Sequence, residues 1–226
     1  MSSLPALPQI LSSLPTQGSP LADVLSLLFE PSLPLFDHLI PTLHAQISKP
    51  DTPSESSTSS RPVTNYEELL RAACAILETW PSELQAAFVA AHPRIGETRG
   101  LSRLSAAEQG QRALRSSSEN SPSPQAAPVP SADDPAVLAS LAHLNACYEA
   151  RFPGLRYITF VNGRPRAVIR DELEAFLRAQ KPDASGSVAS VRPVLVGGEA
   201  WSAELRRAVA DVGKIADSRL RKMLAE

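Results

Sequence analysis

The 226-residue chain carries 22 basic and 24 acidic side chains, a formal net charge of −2, so it lacks the basic excess expected of a nucleic-acid binder. Its hydrophobic content of 43% suffices for a substantial core, but with 5% aromatic residues, leucine, alanine and valine must do most of the packing. No apolar run approaches the length needed to span a bilayer, so no membrane association is expected.

The first residues, MSSLPALPQILSSLP, are apolar but have no basic flank and are broken by prolines, which argues against a secretory signal. The ending KMLAE matches no common targeting signal, so cytoplasm is the expected location; a peroxisomal one is left open. Cys74 and Cys147 lack metal-ligand spacing and read as buried free thiols of a reducing compartment.

Pro20 opens an apolar segment with Leu21, Leu25 and Leu28 on one helical face. Pro31, Pro34 and Pro41 interrupt a second one, in which Leu35, Phe36, Leu39, Leu43 and Ile47 keep helical spacing. Residues 48–63 have linker composition. Thr64 to Glu67 reads as a capping box that starts the clearest helix of the chain, with Tyr66, Leu69, Leu70, Ala73, Ile76, Leu77 and Trp80 on its buried stripe. Pro81 suits the first position of the next helix, which turns Leu84, Phe88 and Ala91 inward and ends at His92. Pro93 disfavours helical geometry for the residue before it, so the His92 imidazole is expected at a chain corner.

A short segment with Gly96 and Gly100 leads to Ser105-Ala-Ala-Glu108-Gln109, a second capping box. Such a helix start gathers exposed N–H groups, a natural seat for an anion. Residues 116–134 show no apolar periodicity and read as a long loop. Asp134-Pro135 then caps a helix in which Leu138, Leu141, Leu144, Asn145 and Tyr148 cluster. Residues 155–161 look extended, either a lone edge strand or a segment crossing a bundle, and end in an Asn162-Gly163 turn. A short amphipathic helix over 171–180 and a long one from about Trp201 to Leu224 follow, the latter with Leu205, Val209, Val212, Ala216, Leu220 and Met223 inward. The expected fold is all-α: one domain over residues 1–226, a bundle of seven to eight helices with long surface loops near 48–63, 116–134 and 182–198.

In order along the chain stand His92-Pro93, Ser105-x-x-Glu108-Gln109, Asn145-x-x-Tyr148 with Arg151-Phe152, and Ile215-Ala-x-x-Arg219-Leu220, preceded by LLFEPS. In these motifs the chain resembles the 2-oxo-4-hydroxy-4-carboxy-5-ureidoimidazoline (OHCU) decarboxylase family, whose reaction completes the conversion of urate to allantoin. The resemblance implies a carboxy-lyase that uses neither metal nor organic cofactor and acts on a small ureidoimidazoline. It implies His92 as the catalytic acid/base and Glu108 as a catalytic carboxylate orienting the imidazole or the substrate. Pro93, Ser105, Gln109, Tyr157 and Ile158 are implied substrate contacts, and Arg192 is the arginine nearest to the one that members often carry before the last helix. The chain departs from the family at Arg94-Ile95, where many members have Asp-Leu, and over residues 152–158. A homodimer is compatible with this reading.

Each residue also has a plainer reading. His92 serves equally as a dipole partner at a helix end. Glu108 belongs to a capping box whatever the function. Asn145 could be a satisfied core amide, and Arg219 an inter-helix ion pair. The four histidines, His38, His44, His92 and His143, show no metal-ligand spacing. The alternative function is a catalytically inactive helical interaction module of the same fold.

Overall fold

Eight α-helices and no strand occur among the described residues of the computed structural model, which are 4–48, 63–97, 134–180 and 186–225. The all-α expectation holds. None of these helices is long and apolar enough to cross a membrane. The expected loops near 48–63 and 116–134, and the expected helix over 105–115, lie almost wholly outside the described residues. The chain divides into two compact units, Met1–His92 with Ser202–Glu226, and Pro93–Trp201.

The first unit begins with α1 (Leu7–Leu11), a short helix not anticipated from the sequence. Proline is tolerated in a first helical turn, because its missing N–H has no intrahelical acceptor there. The Tyr66 hydroxyl donates to the Pro5 carbonyl and ties this segment to the helix that begins at Tyr66. Helix α2 (Pro20–Phe29) has Ser19 as N-cap, its hydroxyl accepting from the Ala22 N–H, and it buries Leu21, Leu25 and Leu28 as expected. It ends at Glu30, whose φ of 67° and ψ of 142° are rare for a residue with a Cβ. Prolines 34 and 41 do not break the next element as the sequence suggested. A π-helical turn (Leu35–Leu39) runs directly into α3 (Ile40–Ile47), and the Ile40 N–H reaches back five residues to the Leu35 carbonyl. The wider turn is a common way for a helix to absorb a residue that breaks the regular ladder, here Pro41.

Helix α4 (Tyr66–Thr79) carries the buried stripe read from the sequence, with Leu69, Leu70, Ala73, Ile76 and Leu77 inside. Its cap is one residue later than expected. Asn65, not Thr64, accepts from the Glu68 N–H at 2.8 Å, while Thr64 donates twice to the Glu68 carboxylate. Asparagine caps at least as well as threonine, so the box slides by one. In α5 (Ser82–Ala90), Pro81 is the N-cap rather than the first helical residue, and the buried face is Ala86, Phe88 and Val89. Helix α8 (Glu199–Leu224) contributes Leu205, Ala208, Val212, Ala216, Arg219 and Leu220 to the buried side of this unit.

The second unit is centred on α6 (Pro135–Arg151) packed against α7 (Arg166–Gln180). Asp134 caps α6 by accepting from the Ala136 N–H, as the Asp-Pro pair suggested. Tyr148, Phe152, Tyr157 and Phe176 form one aromatic cluster, with ring centroids 5.1–6.3 Å apart. Residues 155–161 are extended but make no strand, so the edge-strand alternative falls away. Asn162 and Gly163 both have positive φ and form the expected turn. Arg164 pins that turn, donating to the Val161 and Phe160 carbonyls and pairing with Glu172. Helix α7 therefore starts five residues before the expected Asp171.

Candidate active site

His92 follows the last turn of α5, and its backbone N–H donates to the Val89 carbonyl at 3.1 Å. The imidazole folds back over the same turn. Nδ1 lies 3.2 Å from the Phe88 carbonyl oxygen, and the ring stands edge-on to the Phe88 ring at 5.6 Å. A carbonyl can only accept, so Nδ1 carries the proton and the neutral ring has its lone pair at Nε2.

The side chain is 3% exposed. Burial and the positive charge of Arg219 push its pKa from the ordinary 6.5 down to about 4. The Phe88 and Val89 carbonyls and the Glu30 carboxylate act in the opposite direction but do not win. The dipole-partner reading of His92 is thus part of the truth and not the larger part. At neutral pH the group is an uncharged base.

The two charges that act on it form a buried ion pair. Arg219 Nη2 donates to Glu30 Oε1 at 2.8 Å, with side-chain exposures of 2% and 7%. Arg219 Nη1 lies 3.2 Å from both the Leu27 and the Leu28 carbonyl oxygens, so the guanidinium also closes the C-terminal end of α2. His92, Glu30 and Arg219 all belong to the first unit. The sequence offered Arg219 only as a motif member or an ion pair, and gave Glu30 no separate role. One signal was available: position 219 lies beside Ala216 and Leu220 on the inward stripe of α8, where an arginine must find a partner.

The segment after His92 is fixed within the second unit. Arg94 makes a two-pronged bond to Glu149 on α6, at 2.6 and 2.9 Å, and its backbone N–H donates to Glu97. Asn145 Nδ2 donates to the Ile95 carbonyl at 2.9 Å, while its buried Oδ1 has no hydrogen-bond partner among the described residues, so the core amide expected to be satisfied is only half so. Gly96 has a φ of 85°, and a Cβ there would lie 3.0–3.1 Å from Leu141. The family departure at Arg94 therefore has a local match in Glu149.

Of the other expected site residues, Pro93 is half-buried, and Tyr157 and Ile158 are buried in the second unit. Arg192 is exposed, and its backbone carbonyl accepts from Arg151 at 2.7 Å. Ser105, Glu108 and Gln109 lie outside the described residues. Cys74 is a poor nucleophile, since burial raises its thiol pKa to about 11.

Residues 36–185 match the family model of OHCU decarboxylase, which is about two thirds of the chain. The chain belongs to the OHCU decarboxylase family. It is therefore a carboxy-lyase of urate degradation. A search of curated proteins finds no match. Both Glu30 and Arg219 lie outside the matched stretch, and His92 lies within it.

Proposed function

We propose that this protein converts 2-oxo-4-hydroxy-4-carboxy-5-ureidoimidazoline to (S)-allantoin without a cofactor, with His92 as the acid/base group and Arg219 as the anchor of the substrate carboxylate. The observation that carries the reading is the neutral, buried imidazole in the field of a buried arginine. A single helical domain over residues 1–226 is part of the proposal.

The substrate carbon bears a carboxylate and a hydroxyl. When its bond to the carboxylate breaks, carbon dioxide leaves and the electron pair enters the ring. The hydroxyl must lose a proton as it becomes a carbonyl, and a proton must arrive on one face of the neighbouring carbon. A further one, from water, must reach the ring nitrogen that takes up the electron pair, since a carboxylate that loses carbon dioxide consumes one proton overall. A neutral imidazole with its lone pair at Nε2 is suited to the first transfer, and the imidazolium so formed to the second.

Arg219 gives these transfers an order. Burial is the larger cause of His92's neutrality and the Arg219 field the second. A carboxylate set against Arg219 offsets that second part, so the imidazole becomes the stronger base when substrate is bound. Loss of carbon dioxide shifts the negative charge from the carboxylate at Arg219 into the ring, so the field of Arg219 on His92 is no longer offset by a carboxylate. The imidazolium is then a strong acid and returns its proton to carbon. In so dry a setting each charge acts with much less screening than in water.

Following the family resemblance, Glu108 holds the imidazole or the substrate hydroxyl, Ser105 and Gln109 read the ureido edge, and Pro93, Tyr157 and Ile158 wall the substrate. The carboxylate is assigned to Arg219 rather than to the exposed Arg192, because a cation shielded from water discriminates better for an anion.

The test is to generate the unstable intermediate from urate with upstream enzymes, in the presence of chelator, and to follow its decay. The parent should accelerate decay, and His92→Asn should lose two to four orders of magnitude, on the order expected for an acid/base group. Decay at the spontaneous rate with the parent would leave the inactive helical module as the better reading.

A further inference from the structure

Glu30 is the least ordinary residue of the first unit. It is 6% exposed and ends α2 with a positive φ that a glycine would adopt without strain. A backbone strained in this way persists only where the surroundings hold it, and such strain gathers at functional sites. Here the conformation carries a carboxylate into the protein interior, against Arg219 at 2.8 Å. The neighbouring Leu27 and Leu28 carbonyls take Nη1 of the same guanidinium. An arginine has a planar fork and several rotatable bonds, so gripping both ends of that fork fixes its direction.

We propose that Glu30 is a positioning residue of the reaction, setting the orientation of the Arg219 guanidinium and, through it, the charge that acts on His92. The inference rests on the proposed roles of Arg219 and His92 and deepens them. The groups that face His92 electrostatically are Arg219 from α8, Glu30 from the end of α2, and the Phe88 and Val89 carbonyls of its own helix. Arg219 and Glu30 act on the imidazole with opposite signs. Glu30 therefore has two effects. It aims the cation, and it moderates the cation's field so that the imidazole can still accept a proton during turnover. A carboxylate that served only to close α2 would need neither the strained backbone nor an influence on His92.

The experiment compares Glu30→Gln, Glu30→Gly and Glu30→Asp in the full chain. Three readouts are followed: kcat and KM separately, thermal midpoint, and the NMR titration of the His92 ring in the folded protein. Glu30→Gln keeps the shape and removes the charge, and Glu30→Gly removes both the carboxylate and the strain. Both should raise KM and lower kcat/KM by about a hundredfold, the scale of a 1 Å misplacement. In both, the His92 ring should stay neutral at the pH where the parent ring is half-protonated, because the moderating charge is gone and Arg219 remains. Glu30→Asp keeps the charge one methylene short, should recover part of each effect, and covers the event that the neutral variants do not fold. If Gln and Gly change only the thermal midpoint, leaving kcat/KM within about twofold of the parent and the His92 titration unmoved, Glu30 is a helix-end strut and the proposal is overturned. If the parent itself shows no decarboxylation, the functional proposal fails, and the His92 titration still decides whether Glu30 sets the field there.

Discussion

Replacing Arg219 by methionine tests the charge arrangement at its centre. Methionine fills a similar length of the α8 stripe without charge, so the packing loss is small. What remains is the Glu30 carboxylate, 7% exposed and without its 2.8 Å cation, and two α2 carbonyls that have lost a donor. Breaking a buried pair from one side costs about 3–5 kcal/mol, because the surviving charge keeps its desolvation penalty. For a chain of this size that is a fall in thermal midpoint of roughly 10 °C. The same substitution should move His92 upward from a pKa of about 4 toward the ordinary 6.5, since the lowering charge is gone and the raising one stays. Urea unfolding and ring NMR read the two effects separately. Adding Glu30→Gln should restore most of the stability, because removing both partners leaves no lone charge. A single variant as stable as the parent, with His92 titrating where it did, would refute the argument that these two charges act as a coupled pair on the imidazole.

Three further outcomes follow from individual residues. His92 has a folded pKa of about 4 against 6.5 unfolded, so the unfolded chain takes up the proton first as pH falls. Stability should be undiminished by this group above pH 6.5, lower by about 2 kcal/mol near pH 5 and about 3 kcal/mol near pH 4, and His92→Gln should remove that part of the acid dependence in urea titrations. Gly96→Ala places a Cβ 3.0 Å from Leu141 at a φ of 85°, so it should cost about 1–3 kcal/mol by thermal unfolding; a neutral result would mean that the turn relaxes freely. On the capping-box expectation for Ser105 to Glu108, Glu108→Gln should keep the cap and cost well under the ~1 kcal/mol of losing one, and yet slow turnover about a hundredfold; equal activity would leave Glu108 structural.

The helices that carry most of the core were readable because their patterns are local. The stripes of α4 and α8 follow from 3–4 spacing alone, and Asp134-Pro135 and Asn162-Gly163 set a cap and a turn within two residues. The misses were of two kinds. Some were near-degenerate local choices, such as Asn65 over Thr64 for the α4 cap, or a π turn in place of a break ahead of Pro41. Others depended on contacts that leave no local trace. Arg219 and the Leu28 carbonyl that it meets are 191 residues apart, so no window of sequence could pair them. His92 was legible through its proline and its motif, but its neutrality was not, because burial and a distant arginine set it. The family resemblance made Arg192 the nearest candidate for a substrate-binding arginine; the proposal takes Arg219 instead, for its burial and its pairing with Glu30.

The central claim is that a neutral His92, governed by Arg219, carries out a stereospecific decarboxylation. The most direct measurement is the circular dichroism of allantoin formed when the intermediate is generated from urate in chelator-treated buffer. The account predicts a signal of (S)-allantoin that grows with the parent protein and vanishes with His92→Asn. A racemic product from the parent at every protein concentration, or a signal that His92→Asn leaves intact, would contradict it.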